Sequence, residues 1–278
     1  MQKILLTGAG GFVGSRILDQ WEGQYKFETF PHGFLIHAEE AEVRRYVEDF
    51  RPDIILHTAA LSDTGYCAAH PEESRRANVL LPEWLARSAR DTGAKLLAFS
   101  SDQVYAGCTQ SGPLSESLTL TPSNIYGQHK LEMEQKVLAL CPDAVLLRAA
   151  WMYDLPGYHL PIRGNLPLNL WRAALSGKPV QFSRNDFRGV SSAQEVVHKL
   201  QFALDLPGGV YNFGSGNNCN MVETARQFAE LMNISVSIEE TDWSRNLVMS
   251  SQKLAKHGIQ FCSTQVGFQV FLEDYGLL

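Results

Sequence analysis

Apolar positions in the first half of the chain follow two alternating patterns. Short, nearly continuous apolar runs at Lys3–Thr7, Tyr25–Phe30, Ile54–His57, Lys95–Ser100 and Ala144–Arg148 predict strands. Between them, Phe12–Trp21, Glu39–Phe50, Pro71–Arg90 and Pro122–Leu140 have helical spacing; in the second of these, Val43, Tyr46, Val47 and Phe50 share one face. Strands apolar on both faces and separated by helices predict an α/β fold, a Rossmann-type doubly wound parallel sheet. The pattern changes after Trp151. Residues 154–167 contain three prolines and two glycines and read as a loop. Leu168–Leu175, Ala193–Leu204 and Met221–Met232 read as helices, and Val210–Phe213 as a strand before a glycine-rich turn at 214–218. These elements are too few for a second full sheet. The expected organisation is a Rossmann domain over 1–153 and a smaller C-terminal α/β lobe over 154–278. The lobe would lie over the carboxyl edge of the sheet, with some of its strands and helices returning to the main domain.

Composition narrows the field. The chain has 278 residues, of which 45% are hydrophobic and 19% charged, ordinary for a globular protein. The net charge of -6 and the absence of any Lys/Arg block leave a nucleic-acid or membrane-surface partner without electrostatic support. The five cysteines (Cys67, Cys108, Cys141, Cys219, Cys262) are scattered and form no C-x-x-C pair. They suggest small core residues, with neither a zinc knuckle nor a disulfide framework. Met1 runs almost directly into the first strand, leaving no room for a signal peptide, and no apolar run has membrane-spanning length. The expectation is a cytoplasmic protein.

Two motifs carry the chemistry. Thr7-Gly8-Ala9-Gly10-Gly11-Phe12-Val13-Gly14 follows the first strand and opens the first helix. Gly8 suits a sharp strand-to-helix turn, Gly11 lets a pyrophosphate approach the main chain, and Gly14 lets the helix pack on the sheet. The expected ligand is a dinucleotide. The second strand ends Glu28-Thr29-Phe30-Pro31-His32-Gly33, so no carboxylate stands at its tip to hold ribose hydroxyls. His32 is either a contact for a ribose 2′-phosphate or an exposed turn residue. The cofactor reading is NADP, with NAD as the alternative.

The second motif is Tyr126-Gly127-Gln128-His129-Lys130, which puts a phenol and an ammonium four residues apart on one helix face. The ammonium is expected to lower the phenol pKa, so that Tyr126 exchanges a proton with a carbonyl while hydride moves at its carbon. Lys130 can also hold the nicotinamide ribose. Ser101, where the fourth strand runs into Asp102-Gln103-Val104-Tyr105, either orients the substrate carbonyl or simply ends the strand.

Ser101, Tyr126 and Lys130 resemble the Ser/Thr–Tyr–Lys triad of the extended short-chain dehydrogenase/reductases. Within that superfamily the chain is most similar to the dTDP-4-dehydrorhamnose reductase family. The likeness rests on residues 51–60, Asn78, Phe99–Tyr105, Asn124–Glu132, Leu147–Tyr153, Ser250–Leu254 and Gly258-Ile259. It implies cofactor contacts from Gly8, Gly11, Phe12, Val13, Gly14, His32, Ala59, Ala60, Leu61, Asn78, Ser100, Tyr126 and Lys130. It implies substrate contacts from Ser62, Ser101 and Trp151, the last with a core aromatic as its alternative. Arg188 reads either as a partner for the substrate diphosphate or as a surface ion-pair residue. The implied activity is NAD(P)H-dependent reduction of a nucleotide-linked 4-keto-6-deoxy sugar. No metal is implied, the substrate is the only partner implied, and a homodimer is left open. Departures stand out as well. Gly65 and Ala68 occupy the acidic positions of a D-x-x-E-x-x-P run, and 154–167 does not resemble the family. Gln103 replaces the glutamate that dehydratases of this type carry, which disfavours dehydration. An epimerase, or a regulatory subunit like that of methionine adenosyltransferase, remains as an alternative.

Overall fold

The computed structural model describes all 278 residues. In chain order the first half contains β1 (Lys3–Thr7), α1 (Phe12–Gln20), β2 (Lys26–Thr29), α2 (Phe34–His37), α3 (Glu40–Phe50), β3 (Ile54–His57), α4 (Thr64–Ala69), α5 (Pro71–Arg75), α6 (Leu81–Thr92), β4 (Lys95–Ser101), α7 (Ile125–Leu140) and β5 (Val145–Ala149). The second half adds β6 (Trp151–Tyr153), α8 (Leu166–Ser176), β7 (Val180–Arg188), β8 (Val190–Ser192), α9 (Ala193–Ala203), β9 (Gly209–Phe213), α10 (Met221–Leu231), β10 (Ile238–Leu247), α11 (Gln252–Ala255) and α12 (Thr264–Asp274).

Six parallel strands form the main sheet in the order β2-β1-β3-β4-β5-β9. Alternation sends Ile4 and Leu6, Ile54 and Leu56, Leu97 and Phe99 to one face, against Ile17 of α1, Trp21 at its C-terminal cap, and Val196, Val197 and Leu200 of α9. Leu5, Ile55, Leu96 and Ala98 face the other way, against α3, α6 and α7. Burial on both faces is why these strands read as continuous apolar runs. The strand order reverses between β1 and β3, so the binding crevice of such a sheet opens at their carboxyl ends.

The sequence places a single helix over 71–90, but the structure divides it. Residues 76–80 form a wider π turn between α5 and α6, with the Leu81 N–H bonded to the Arg76 carbonyl. Pro82 explains it: the ring has no N–H to donate and crowds the carbonyl four residues back, which a widened turn accommodates. Helix α7 starts at Ile125 rather than Pro122, because the Asn124 side chain caps it by accepting from the Gly127 N–H at 2.8 Å. Helix α8 starts at Leu166, inside the stretch expected to be loop, capped by Asn165.

β9 and α9 belong to the main sheet and its packing, although they lie in the second half of the chain. The rest forms a satellite core in which Tyr153 is edge-on to Phe228, Phe268 and Phe271. Two small parallel pairs, β7 with β10 and β6 with β8, accompany it. None of these four strands was expected from the sequence. β7 and β10 are largely solvent-facing and carry charged and polar side chains, so neither has an apolar run. No helix is long and apolar enough to cross a membrane.

Candidate active site

The crevice begins at the β1–α1 turn. Gly8 takes φ +72°, and a Cβ there would stand 2.7 Å from the Ala59 nitrogen, where the chain leaving β3 crosses the turn. A Cβ on Gly14 would stand 2.1 Å from the Gly8 carbonyl oxygen, so the helix can sit this close only as glycine. The crossing is locked by Thr7. Its hydroxyl accepts from the Thr58 and Ala59 N–H groups at 3.2 Å and contacts His57 Nδ1 at 2.8 Å. Burial and the neighbouring Lys130 charge lower the His57 pKa to about 3, so this imidazole is neutral at working pH. Gly11 precedes α1, and no side chain caps the helix. Its first N–H groups, at Phe12, Val13 and Gly14, are therefore available to an anion, and the space beside Gly10 is open to at least 4 Å. These features fit a dinucleotide phosphate. Ala59, Ala60 and Leu61 border the crevice, half-exposed. Asn78, in the π turn, fixes that border by donating to the Leu61 carbonyl at 2.8 Å.

At the far wall, Tyr126 and Lys130 project from the first turns of α7, 6% and 1% exposed. Gly127 lies between them because a Cβ there would meet the Gln103 carbonyl oxygen at 2.2 Å, and this contact presses α7 against the end of β4. Lys130 donates to the Phe99 carbonyl at 2.9 Å, and its nitrogen lies 5.8 Å from the Tyr126 ring centroid. Burial lowers the Lys130 pKa to about 8, with Glu134 opposing. The phenol departs from the sequence expectation. Burial pushes the Tyr126 pKa well above its ordinary value, and a hydrogen bond with Ser101 only partly offsets this. Desolvation outweighs the charges around it, so the residue is a protonated acid at neutral pH. Ser101 caps the short turn at 102–105 and donates to Asp102 at 3.2 Å.

The family model for the RmlD substrate binding domain matches residues 1–256. The chain belongs to that family. A dTDP-4-dehydrorhamnose reductase of Salmonella typhimurium is 29% identical over 233 residues, 77% of this chain and 73% of that protein. One from Mycolicibacterium smegmatis is 33% identical over 153 residues, 55% of this chain and only 46% of that protein, so that match spans about half its length. Among solved structures, the dTDP-4-dehydrorhamnose reductase of Bacillus anthracis in complex with NADP superposes with TM-score 0.88, 20% identity and 98% coverage of both chains. At that identity the likeness is one of fold.

Other sequence-derived candidates of this RmlD-family chain have distinct surroundings. Ser100 donates to Glu134 at 2.5 Å within the core, so its hydroxyl is engaged with the protein interior. Arg188 is also engaged: it pairs with Asp102 at 2.6 Å and lies 5.0 Å from the Trp151 ring centroid. The ion pair is made, but largely buried rather than at the surface, with a half-buried Trp151 beside it. His32 is exposed in the turn after β2, and Glu28 accepts from the Tyr46 hydroxyl at 2.7 Å. Ser62 accepts from Arg163 Nη1 at 2.6 Å. The sequence reading missed Arg163, because a lone arginine in a proline-rich loop carries no spacing signal.

Proposed function

We propose that this protein reduces the ketone of a nucleotide-linked 4-keto-6-deoxy sugar, with NADPH preferred over NADH. The observation that carries this reading is the buried Tyr126–Lys130 pair at the carboxyl end of β4, facing the crevice that the uncapped α1 opens. Membership of the RmlD family supports the sugar class. When bound, the reduced nicotinamide supplies hydride. Every other part belongs to the chain. Tyr126, held protonated by burial, gives its proton to the carbonyl oxygen. Lys130 keeps a positive charge beside that oxygen and is fixed by the Phe99 carbonyl. Ser101 turns its hydroxyl from Asp102 to the substrate. The Asp102–Arg188 pair and Trp151 form the adjoining wall, where the sugar would lie. Engagement of Glu28 by Tyr46 removes the nearest carboxylate from the β2 tip, which favours a ribose 2′-phosphate near His32.

The reading is tested by following reduced-nicotinamide absorbance with a dTDP-4-keto-6-deoxyhexose as substrate, across pH 6 to 10. Net consumption is expected, with kcat/KM falling as pH rises through about 8, where Lys130 loses its charge. No falling limb from Tyr126 is expected within this range, because its pKa is raised. An epimerase would convert the sugar without net consumption, and a regulatory subunit would bind cofactor without turnover; either result would reject the proposal.

A further inference from the structure

Both ends of the loop between β6 and α8 are firmly built in. At one end the buried Asp154 pairs with the buried Arg16 of α1 and accepts from the Tyr275 hydroxyl at 2.9 Å. At the other, the fully buried Asn165 donates to the Asp154 carbonyl at 2.9 Å and caps α8. Arg16 also donates to the Phe12 carbonyl at 2.7 Å and the Pro161 carbonyl at 3.0 Å, so the loop is fastened to the dinucleotide helix itself. Between these anchors the backbone is exposed and reverses at Tyr158–His159, where His159 takes φ +57°.

Arg163 returns from this reversal over the crevice. Its guanidinium donates to Ser62 at 2.6 Å and lies 6.0 Å from the Phe12 ring centroid. Its charge also acts on the Tyr126 phenol, placing it within electrostatic reach of the reaction centre. It has no carboxylate partner. This exposed guanidinium therefore lies near the side chain of Phe12, the first residue of the uncapped α1. Two like-signed groups held together in this way are reconciled by an anion between them, and a guanidinium fork suits phosphate oxygens. Attachment to α1 through Arg16, and the position over its first residue, favour the cofactor's diphosphate over the substrate's.

We propose that residues 155–164 form a strap over the dinucleotide crevice, and that Arg163 grips the diphosphate of the bound cofactor against the N-terminus of α1. This rests on the dinucleotide reading above. The test is calorimetric titration of wild type, R163A and R163K with NADP, NAD and adenosine 2′-monophosphate, which carries no phosphate at the position of the diphosphate. R163A is expected to weaken the dinucleotide that binds best by about tenfold or more, the effect of one charged hydrogen-bonding group. Affinity for adenosine 2′-monophosphate should be unchanged, R163K should recover part of the loss, and the difference should shrink with salt. An unchanged melting temperature is expected, since both anchors remain. Equal dinucleotide affinity in wild type and R163A overturns the strap alone, as does an equal loss for adenosine 2′-monophosphate. Wild type binding neither dinucleotide overturns the cofactor reading together with the strap.

Discussion

Replacing Tyr126 with phenylalanine is expected to lower kcat for keto-sugar reduction by at least about a hundredfold, the ordinary contribution of a positioned general acid. The affinity for NADPH should stay near the wild-type value. The phenol is almost wholly removed from solvent, so water has little access to replace its proton. Its raised pKa keeps it in the acid form, which is the form reduction needs. The split between kcat and cofactor affinity is the diagnostic: a misfolded pocket would lose both, whereas a missing proton donor loses only the first. Rapid-mixing measurement of nicotinamide oxidation, with cofactor titration beside it, checks both quantities.

Glu134→Leu is expected to cost about 3–5 kcal/mol of folding stability, read from urea unfolding, because it strands a buried guanidinium. Arg148 and Glu134 are 4% and 3% exposed and meet at 2.7 Å, with a second contact at 2.9 Å. Arg148 also donates to the Tyr105 hydroxyl at 2.7 Å, which in turn donates to Asn212 at 2.8 Å. The double substitution Glu134→Leu, Arg148→Met removes both charges and should restore much of the loss. The same carboxylate stands one helical turn beyond Lys130 and supports its positive charge. Any activity left in Glu134→Leu should therefore show its alkaline limb at lower pH. A stability loss well under 1 kcal/mol would mean the pair contributes nothing beyond what its replacement supplies.

The parts of this molecule legible in its sequence are those whose cause leaves a local pattern. β1, β3, β4 and β5 are buried on both faces, so each is an apolar run that no other element resembles. The glycines at 8 and 14 mark places where backbone touches backbone, and such contacts leave a fixed spacing. Tyr126 and Lys130 were readable because a helix ties spacing to direction. What escaped depends on long-range geometry. β7 and β10 form a two-stranded sheet of their own and carry polar side chains on exposed faces. Arg148 and Glu134 meet across the sheet–helix boundary, with no pattern announcing them. The phenol pKa was misjudged because spacing shows the nearby ammonium but not the depth of burial. Arg163 reaches the crevice only because Asp154, Asn165 and Arg16 hold its loop in place.

The most direct test of the central claim is the fate of the hydride. The protein would be incubated with NADPH carrying deuterium at both C4 positions of the nicotinamide and with a dTDP-4-keto-6-deoxyhexose, and the sugar product examined by mass spectrometry and proton NMR. The account predicts one deuterium per product molecule, located at sugar C4, with stoichiometric formation of oxidised cofactor. A sugar product free of deuterium, or conversion of the sugar with no cofactor oxidised, would contradict it.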